Sequence, residues 1–265
     1  MNIQINNQQS AISNQQFAKG FSLMEVLLAV GILAVGMLFI AGVFPVGIYF
    51  TTVASERTIA ATAADEAFAK VVLLAHDPLC PLNAGNFQNP YSASFEEIAD
   101  ANRALLVPLV QPIPADCFAY PSTPSIDPTA KKYWWSAVCR RVDLLDPCSV
   151  QATVFISRKA GVTATRPIAV PVGVSGTTGS YELTITGDKT LINDGYTIVD
   201  DASGQIYRVL ERLAPPLDDR IIRLDKPWRP DLSPQFLTGI VWVVPPPVGG
   251  GRYPCIAVYQ KVMRF

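Results

Sequence analysis

The chain has 265 residues, with 21 basic and 22 acidic side chains and a net charge of −1, so no excess charge points to a nucleic-acid or other polyanionic partner. Its 49% hydrophobic content suits one sizeable globular domain plus a membrane segment, or two small domains. No C-x-x-C pair occurs and His76 is the single histidine, which argues against a zinc site and against Ser–His or Cys–His catalysis.

Residues 1–20 are polar, rich in Asn and Gln, and carry one charged side chain, Lys19. From Phe21 to Phe44 the sequence is apolar, with Glu25 its only charge. At about 1.5 Å per residue this run spans roughly 36 Å as a helix, enough to cross a bilayer core of about 30 Å. A secretory signal would have a shorter apolar stretch of about 7–15 residues behind a basic start. A plain signal anchor fits the length but leaves Glu25 unexplained, since an acid at the centre of a membrane helix costs about 2.5–3.5 kcal/mol. Its place in the first turn softens that cost, because the helix dipole favours an anion there.

The order Lys19-Gly20-Phe21-Ser22-Leu23-Met24-Glu25 followed by an apolar helix resembles the class III signal of type IV prepilins and type II secretion pseudopilins. The resemblance covers about 25 contiguous residues. It implies cleavage by a membrane prepilin peptidase between Gly20 and Phe21, and N-methylation of the new amino terminus at Phe21. It also implies that Glu25 neutralises the Phe21 ammonium of an adjacent subunit during assembly. Opposite charges in apolar surroundings are costly apart and less so together, so such a pair would set axial register more than add stability. With Lys19 as the only basic leader residue the positive-inside bias is thin, and the orientation, leader inside and head outside, is an implication of the resemblance.

Pro45, flanked by Gly42 and Gly47, interrupts the apolar run and predicts either a helix kink or the end of the membrane helix. Residues 51–75 read as helix again: Ala-rich, free of Gly and Pro, with a Glu66–Lys70 pair at i,i+4, and closed by Asp77-Pro78. Val53, Ile59, Ala63, Phe68, Val71 and Leu74 do not suggest one narrow apolar stripe.

Residues 78–130 form a Pro-, Asn- and Ser-rich insert with one short helix expected near 95–106. The cysteines Cys80, Cys117, Cys139 and Cys148 are disulfide candidates if the head is exported; Cys80–Cys117 would close the insert, but spacing does not fix connectivity, and Cys255 makes the count odd. Beyond Lys132 strand signals recur. Residues 133–142 and 151–157 read as a hairpin around Asp146-Pro147, and further strands are expected at 181–186, 196–200, 205–212, 220–224, 239–244 and 255–263. The 195–224 stretch, with turns at Asp194-Gly195 and Ser203-Gly204, reads as a curved β-meander. The resemblance to pseudopilins, some of which bind calcium, makes Asp143 with Asp146, or Asp200 with Asp201, calcium candidates, although acidic pairs in turns are more often solvated or capping. Arg140-Arg141 beside Trp134-Trp135 alternates between faces of a strand, so core tryptophans with flanking arginines are expected rather than a base-stacking surface. There is no G-x-S-x-G elbow, P-loop or dinucleotide fingerprint.

The fold class expected is α+β, a long N-terminal transmembrane helix packed against a C-terminal antiparallel β-rich head. The expected organisation is a leader at 1–20, a helix at 21–77, an insert at 78–130 and a β-rich head at 131–265. The resemblance implies a structural subunit of a type IV pilus or type II secretion filament, closer to minor pilins of the pilus-modification group than to major pilins. Its partners would be other pilin or pseudopilin subunits, the prepilin peptidase, an inner-membrane assembly platform and membrane lipid. It would lie in the cytoplasmic membrane and then in a periplasmic or surface filament. No enzyme activity, cofactor or metal is expected. The alternative is a signal-anchored periplasmic binding module or enzyme that does not polymerise.

Overall fold

The computed structural model describes residues 21–76, 95–98, 115–123, 126–127, 130–142, 149–159, 166–213, 218–247 and 253–264. The leader, Gly20, Cys80 and Cys148, the Asp143–Asp146 pair and the Asp146-Pro147 turn lie outside these residues. The described chain is α+β: one long N-terminal helix and a C-terminal head of antiparallel strands.

Helix α1 runs from Leu23 to His76, with the Asp77-Pro78 pair expected to close it lying outside the described residues. It continues through Pro45 rather than ending there. The chain divides into two compact units at Val53–Ala54. The first unit is the apolar half of α1, and residues 21–52 are solvent-exposed throughout it. The second unit holds the rest of α1 and the head.

Two strand systems build the head. Strands β1 (Glu96–Glu97), β2 (Ala119–Tyr120), β3 (Tyr133–Arg141), β4 (Ser149–Arg158) and β11 (Cys255–Arg264) form an antiparallel sheet in the order β1-β3-β4-β11, with β2 also on β3. The β3–β4 hairpin pairs Tyr133 with Arg158 through Arg141 with Val150, as its sequence predicted. Strands β5 (Val170–Thr177), β6 (Glu182–Ile185), β7 (Thr197–Asp200), β8 (Ile206–Arg212), β9 (Ile221–Leu224) and β10 (Phe236–Val243) close into a six-stranded barrel. The expected meander is β7-β8-β9, within this barrel. The whole barrel is inserted between β4 and β11, which nonetheless pair with each other from Ser157–Cys255 to Ser149–Arg264.

Phe95–Ile98 is not helical. Glu96 and Glu97 pair with Cys139 and Val138, and the Phe95 N–H donates to Asp201 Oδ1 (2.8 Å), so long-range pairing overrides the local helical preference. Strand β5 was missed because its sequence, VPVGVSGT, carries a proline and two glycines that read as turn. A Cβ at Gly176 would lie 2.6 Å from Leu183 Cδ2, so glycine lets β6 approach β5 closely.

Side-chain alternation gives the sheet two buried faces. Val150, Ala152, Val154 and Ile156 of β4, with Ala137 and Cys139 of β3, face α1. Phe155 and Val138 face the opposite way, against Trp242, Val199 and Val244 of the barrel side. The barrel interior is filled by side chains including Tyr207, Trp228, Leu183 and Ile222.

Candidate functional site

The sequence-predicted functional residues cluster at the start of α1. Ser22 precedes the helix, and its carbonyl and Oγ both accept from the Glu25 N–H, at 2.9 and 3.4 Å. Ser22 therefore caps the helix through the Glu25 N–H, and Ser22-Leu23-Met24-Glu25 has the S-x-x-E pattern of a capping box. The signal was present in the sequence. Phe21 and Glu25 are both exposed. Pro45 removes the N–H that would have bonded the Ala41 carbonyl, and Thr51 and Thr52 then hydrogen-bond back to the carbonyls of Gly47 (2.8 Å) and Ile48 (2.9 Å). A Cβ at Gly31, Gly36, Gly42 or Gly47 would meet nothing within 4 Å, so among the described residues nothing covers the glycine positions of the apolar half.

The second half of α1 does form a narrow stripe, contrary to the sequence reading. Ala60, Ala63, Ala64, Ala67, Phe68 and Val71 are buried at helical spacing. Alanine makes up most of it, and alanine also occupies the exposed positions 54, 61 and 69, so hydrophobicity did not reveal the face. Small side chains let the helix lie close on Trp134, Trp135 and Phe118, which are almost completely buried. Ion pairs flank the stripe. Arg158 of β4 grips both carboxylate oxygens of Glu56, with Nε–Oε1 at 2.7 Å, and its Nη1 donates to the Tyr253 carbonyl (2.9 Å). Lys70 meets Glu66 at 3.1 Å, the predicted i,i+4 pair, and donates to the Cys117 carbonyl at 2.7 Å.

A second polar centre joins barrel and sheet at the turn from Asp200 to Gln205. Asp200 is fully buried and accepts from Arg229 Nε (3.0 Å) and Nη2 (2.7 Å), Ser203 N (2.8 Å) and Oγ (2.6 Å), and Trp228 Nε1 (3.3 Å). Arg229 adopts φ +46°, a left-handed conformation unusual for a side-chain-bearing residue, and its N–H donates to Tyr207 Oη (3.0 Å). Asp201 Oδ1 accepts from Phe95 N and from Trp242 Nε1, each at 2.8 Å. These two aspartates thus serve as acceptors for N–H and O–H donors. Among the described residues no group of three or more His, Cys, Asp or Glu side chains gathers.

The sheet holds the same turn from its own side. Arg140 donates to the carbonyls of Asp201 (3.1 Å), Ala202 and Ser203 (2.7 Å), while its Nε bonds Gln151 Oε1 (2.8 Å). Gln260 Nε2 reaches the Gly204 carbonyl (2.6 Å). Burial lowers the Arg140 pKa, and the Asp201 and Asp200 charges oppose that shift. Trp134 and Trp135 are core residues, as expected, but Arg140 is a joint rather than a solvated flank.

Of the disulfide candidates, Cys139 is buried in the α1-facing core and Cys117 is half-buried. Cys255 is buried, donates to the Ala257 carbonyl (3.7 Å), and has its thiol pushed up to about 12, chiefly by burial. His76 is the last residue of α1.

Comparisons with protein-family models, with curated proteins and with solved structures find no match. The arrangement, a long apolar N-terminal helix whose second half packs on an antiparallel sheet, agrees with the general architecture of pilin-like subunits.

Proposed function

We propose that the chain is the precursor of a structural subunit of a type IV pilus-like or type II secretion filament, cleaved between Gly20 and Phe21 and methylated on Phe21. One observation carries this reading: a single helix combines an uncovered apolar half with an Ala-striped half packed on the head. A plain anchor needs only the first half. A helix that continues from the lipid-compatible segment into the core of the head suits a subunit that moves from bilayer to filament without refolding.

In the assembled state the exposed face of residues 21–52 exchanges lipid for the same segment of neighbouring copies. Glu25 then meets the amino terminus of an incoming Phe21. The prepilin peptidase and an inner-membrane assembly platform are the partners this route requires, and the head's role is structural and interactive rather than catalytic.

Two measurements test the reading. Intact-mass analysis of the cellular protein should show loss of residues 1–20 and one added methyl group, and both changes should vanish when the prepilin peptidase is blocked. Glu25→Gln separates the charge from the cap, because glutamine also serves in a capping box. The variant should be processed and membrane-inserted normally, yet be depleted from the filament fraction by about tenfold or more, the effect of losing about 1.4 kcal/mol of pairing. An unprocessed Met1 terminus, or full incorporation of Glu25→Gln, would overturn it.

A further inference from the structure

Between Ala54 and Ala75 the charged side chains of α1 are Glu56, Arg57, Asp65, Glu66 and Lys70. Arg158 of the head grips Glu56, and Glu66 pairs with Lys70. Arg57 and Asp65 are left over. Both are exposed, and among the described residues neither has an ion pair or a hydrogen-bonded side chain. The helix offers them no partner at the usual spacing either: Ala61 stands four residues from each, and no position three or four away carries a charge. Around them the exposed side of the helix is short. Ala61 and Ala69 lie there with Thr58 and Thr62, whose hydroxyls donate back to the carbonyls of Ala54 (3.1 Å) and Thr58 (3.2 Å). Those hydroxyls already have an acceptor, and side chains this small let a second helix come close.

Arg57 and Asp65 suit each other in charge, but one helix keeps them apart. Eight residues separate them by about 12 Å along the axis and about 80° around it. Two copies can join them, and the way the copies lie decides whether they do. Parallel and level, Arg57 meets Arg57. Antiparallel about Ala61, each Arg57 meets an Asp65, but copies whose residues 21–52 share one bilayer do not run antiparallel. Parallel with one copy displaced by about 12 Å, Arg57 of one copy stands level with Asp65 of the other.

We propose that Arg57 and Asp65 form an ion pair between neighbouring parallel copies of this chain displaced by about 12 Å. The inference rests on the filament reading above, which supplies the parallel arrangement. Such a contact is heterologous: a copy that uses its Arg57 on one side still offers Asp65 to the next, so the pairing extends as an open array and does not close as a dimer. The displacement has the same sense as that of a Phe21–Glu25 pair, since in both an earlier residue of one copy meets a later residue of the other. The two differ by four residues, about 6 Å, which the long and flexible arginine side chain bridges. Between two helices the pair is less screened by salt than on an open surface, and it recurs in every subunit.

The test follows the full chain in the cells that assemble it, reading processed protein in the membrane and filament fractions. Arg57→Asp and Asp65→Arg each set like charges together at the contact. Each should be inserted and processed normally yet depleted from the filament fraction by about tenfold. Both changes in one chain restore opposite charges across the contact, and incorporation should return to within about twofold of the unaltered chain. Co-expressed Arg57→Cys and Asp65→Cys chains should give, with a short bismaleimide cross-linker, a dimer that neither chain gives alone. Ala61→Cys should add no dimer to that of the unaltered chain, because residue 61 meets itself only in a level or antiparallel pair. Full incorporation of either single charge variant, a double variant as poor as the singles, or an Ala61→Cys dimer would overturn the proposal and leave the filament reading standing. Absence of the unaltered chain from filaments would overturn both.

Discussion

Asp200→Ala removes the acceptor around which the barrel's polar centre is built, and the structure sets the size of the effect. Asp200 is fully buried, and its partner Arg229 keeps only about a tenth of its side chain in solvent. Taking away one member of such a pair leaves a buried charge uncompensated, at about 3–5 kcal/mol. Trp228 Nε1 would also lose its acceptor, whereas Ser203 lies near enough to solvent to find water. These losses share one network and do not add, so a total of about 4 kcal/mol is expected. For a unit of this size that corresponds to a fall in Tm of about 8–16 °C. Urea unfolding of the full chain in detergent, followed by tryptophan fluorescence, measures it, with Trp228 in the barrel core as reporter. Arg229→Met in the Asp200→Ala background removes the orphaned charge and should recover at least about 1 kcal/mol. A loss below about 1 kcal/mol for Asp200→Ala, or a double variant no better than the single one, would refute the reasoning.

Three further outcomes follow from other parts of the second unit. Gly204 has φ +69°, and a Cβ there would sit 2.7 Å from Arg140 Nη2 and 2.9 Å from Gln151 Nε2 and Oε1; Gly204→Ala should cost about 2–3 kcal/mol by scanning fluorimetry, falling to about 1–2 in an Arg140→Ala, Gln151→Ala background where the left-handed conformation still penalises alanine. Ala67 is completely buried in the α1 stripe and Ala61 is exposed. Ala67→Leu should therefore destabilise by about 1–3 kcal/mol through overpacking while Ala61→Leu stays near neutral in the same melts. Asp219 is held below its ordinary pKa, first by the hydrogen bond from Lys189 (2.5 Å) and then by the Lys189 and Arg212 charges. A carboxyl depressed in the folded state adds stability that is complete above its unfolded pKa and disappears as pH falls through the folded value. Melting temperatures from pH 6 downward to about 2 should then fall less steeply for Asp219→Asn than for the unaltered chain, and parallel curves would remove Asp219 from the account.

The second half of α1 shows how a correct element can hide its face. Its helicity and the Glu66–Lys70 pair could both be read from local residues, because helix signals are local. The buried stripe could not, since alanine lines both the buried and the exposed side, and only the position of Trp134 and Trp135 decides which alanines count. At the start of the helix the capping pattern Ser22-x-x-Glu25 was legible yet overshadowed by the charge of Glu25. In the head, β3, β4 and the meander were legible from aromatic and β-branched runs, whereas β5, with its proline and glycines, was not.

Residue order alone determined that an uncharged span long enough for a bilayer precedes an Ala-rich helix and a set of short antiparallel strands, because hydrophobic length, periodicity and turn chemistry act over a few neighbours. Only the tertiary structure decided that six strands close into a barrel inserted between β4 and β11, and that Asp200 and Asp201 accept the donors that gather at its joint with the sheet. Each of these depends on groups that lie tens of residues apart in sequence, such as Arg140 with Ser203 and Asp200 with Arg229. Such pairings are selected by which burial satisfies the most polar groups at once, and no local window of sequence contains that sum.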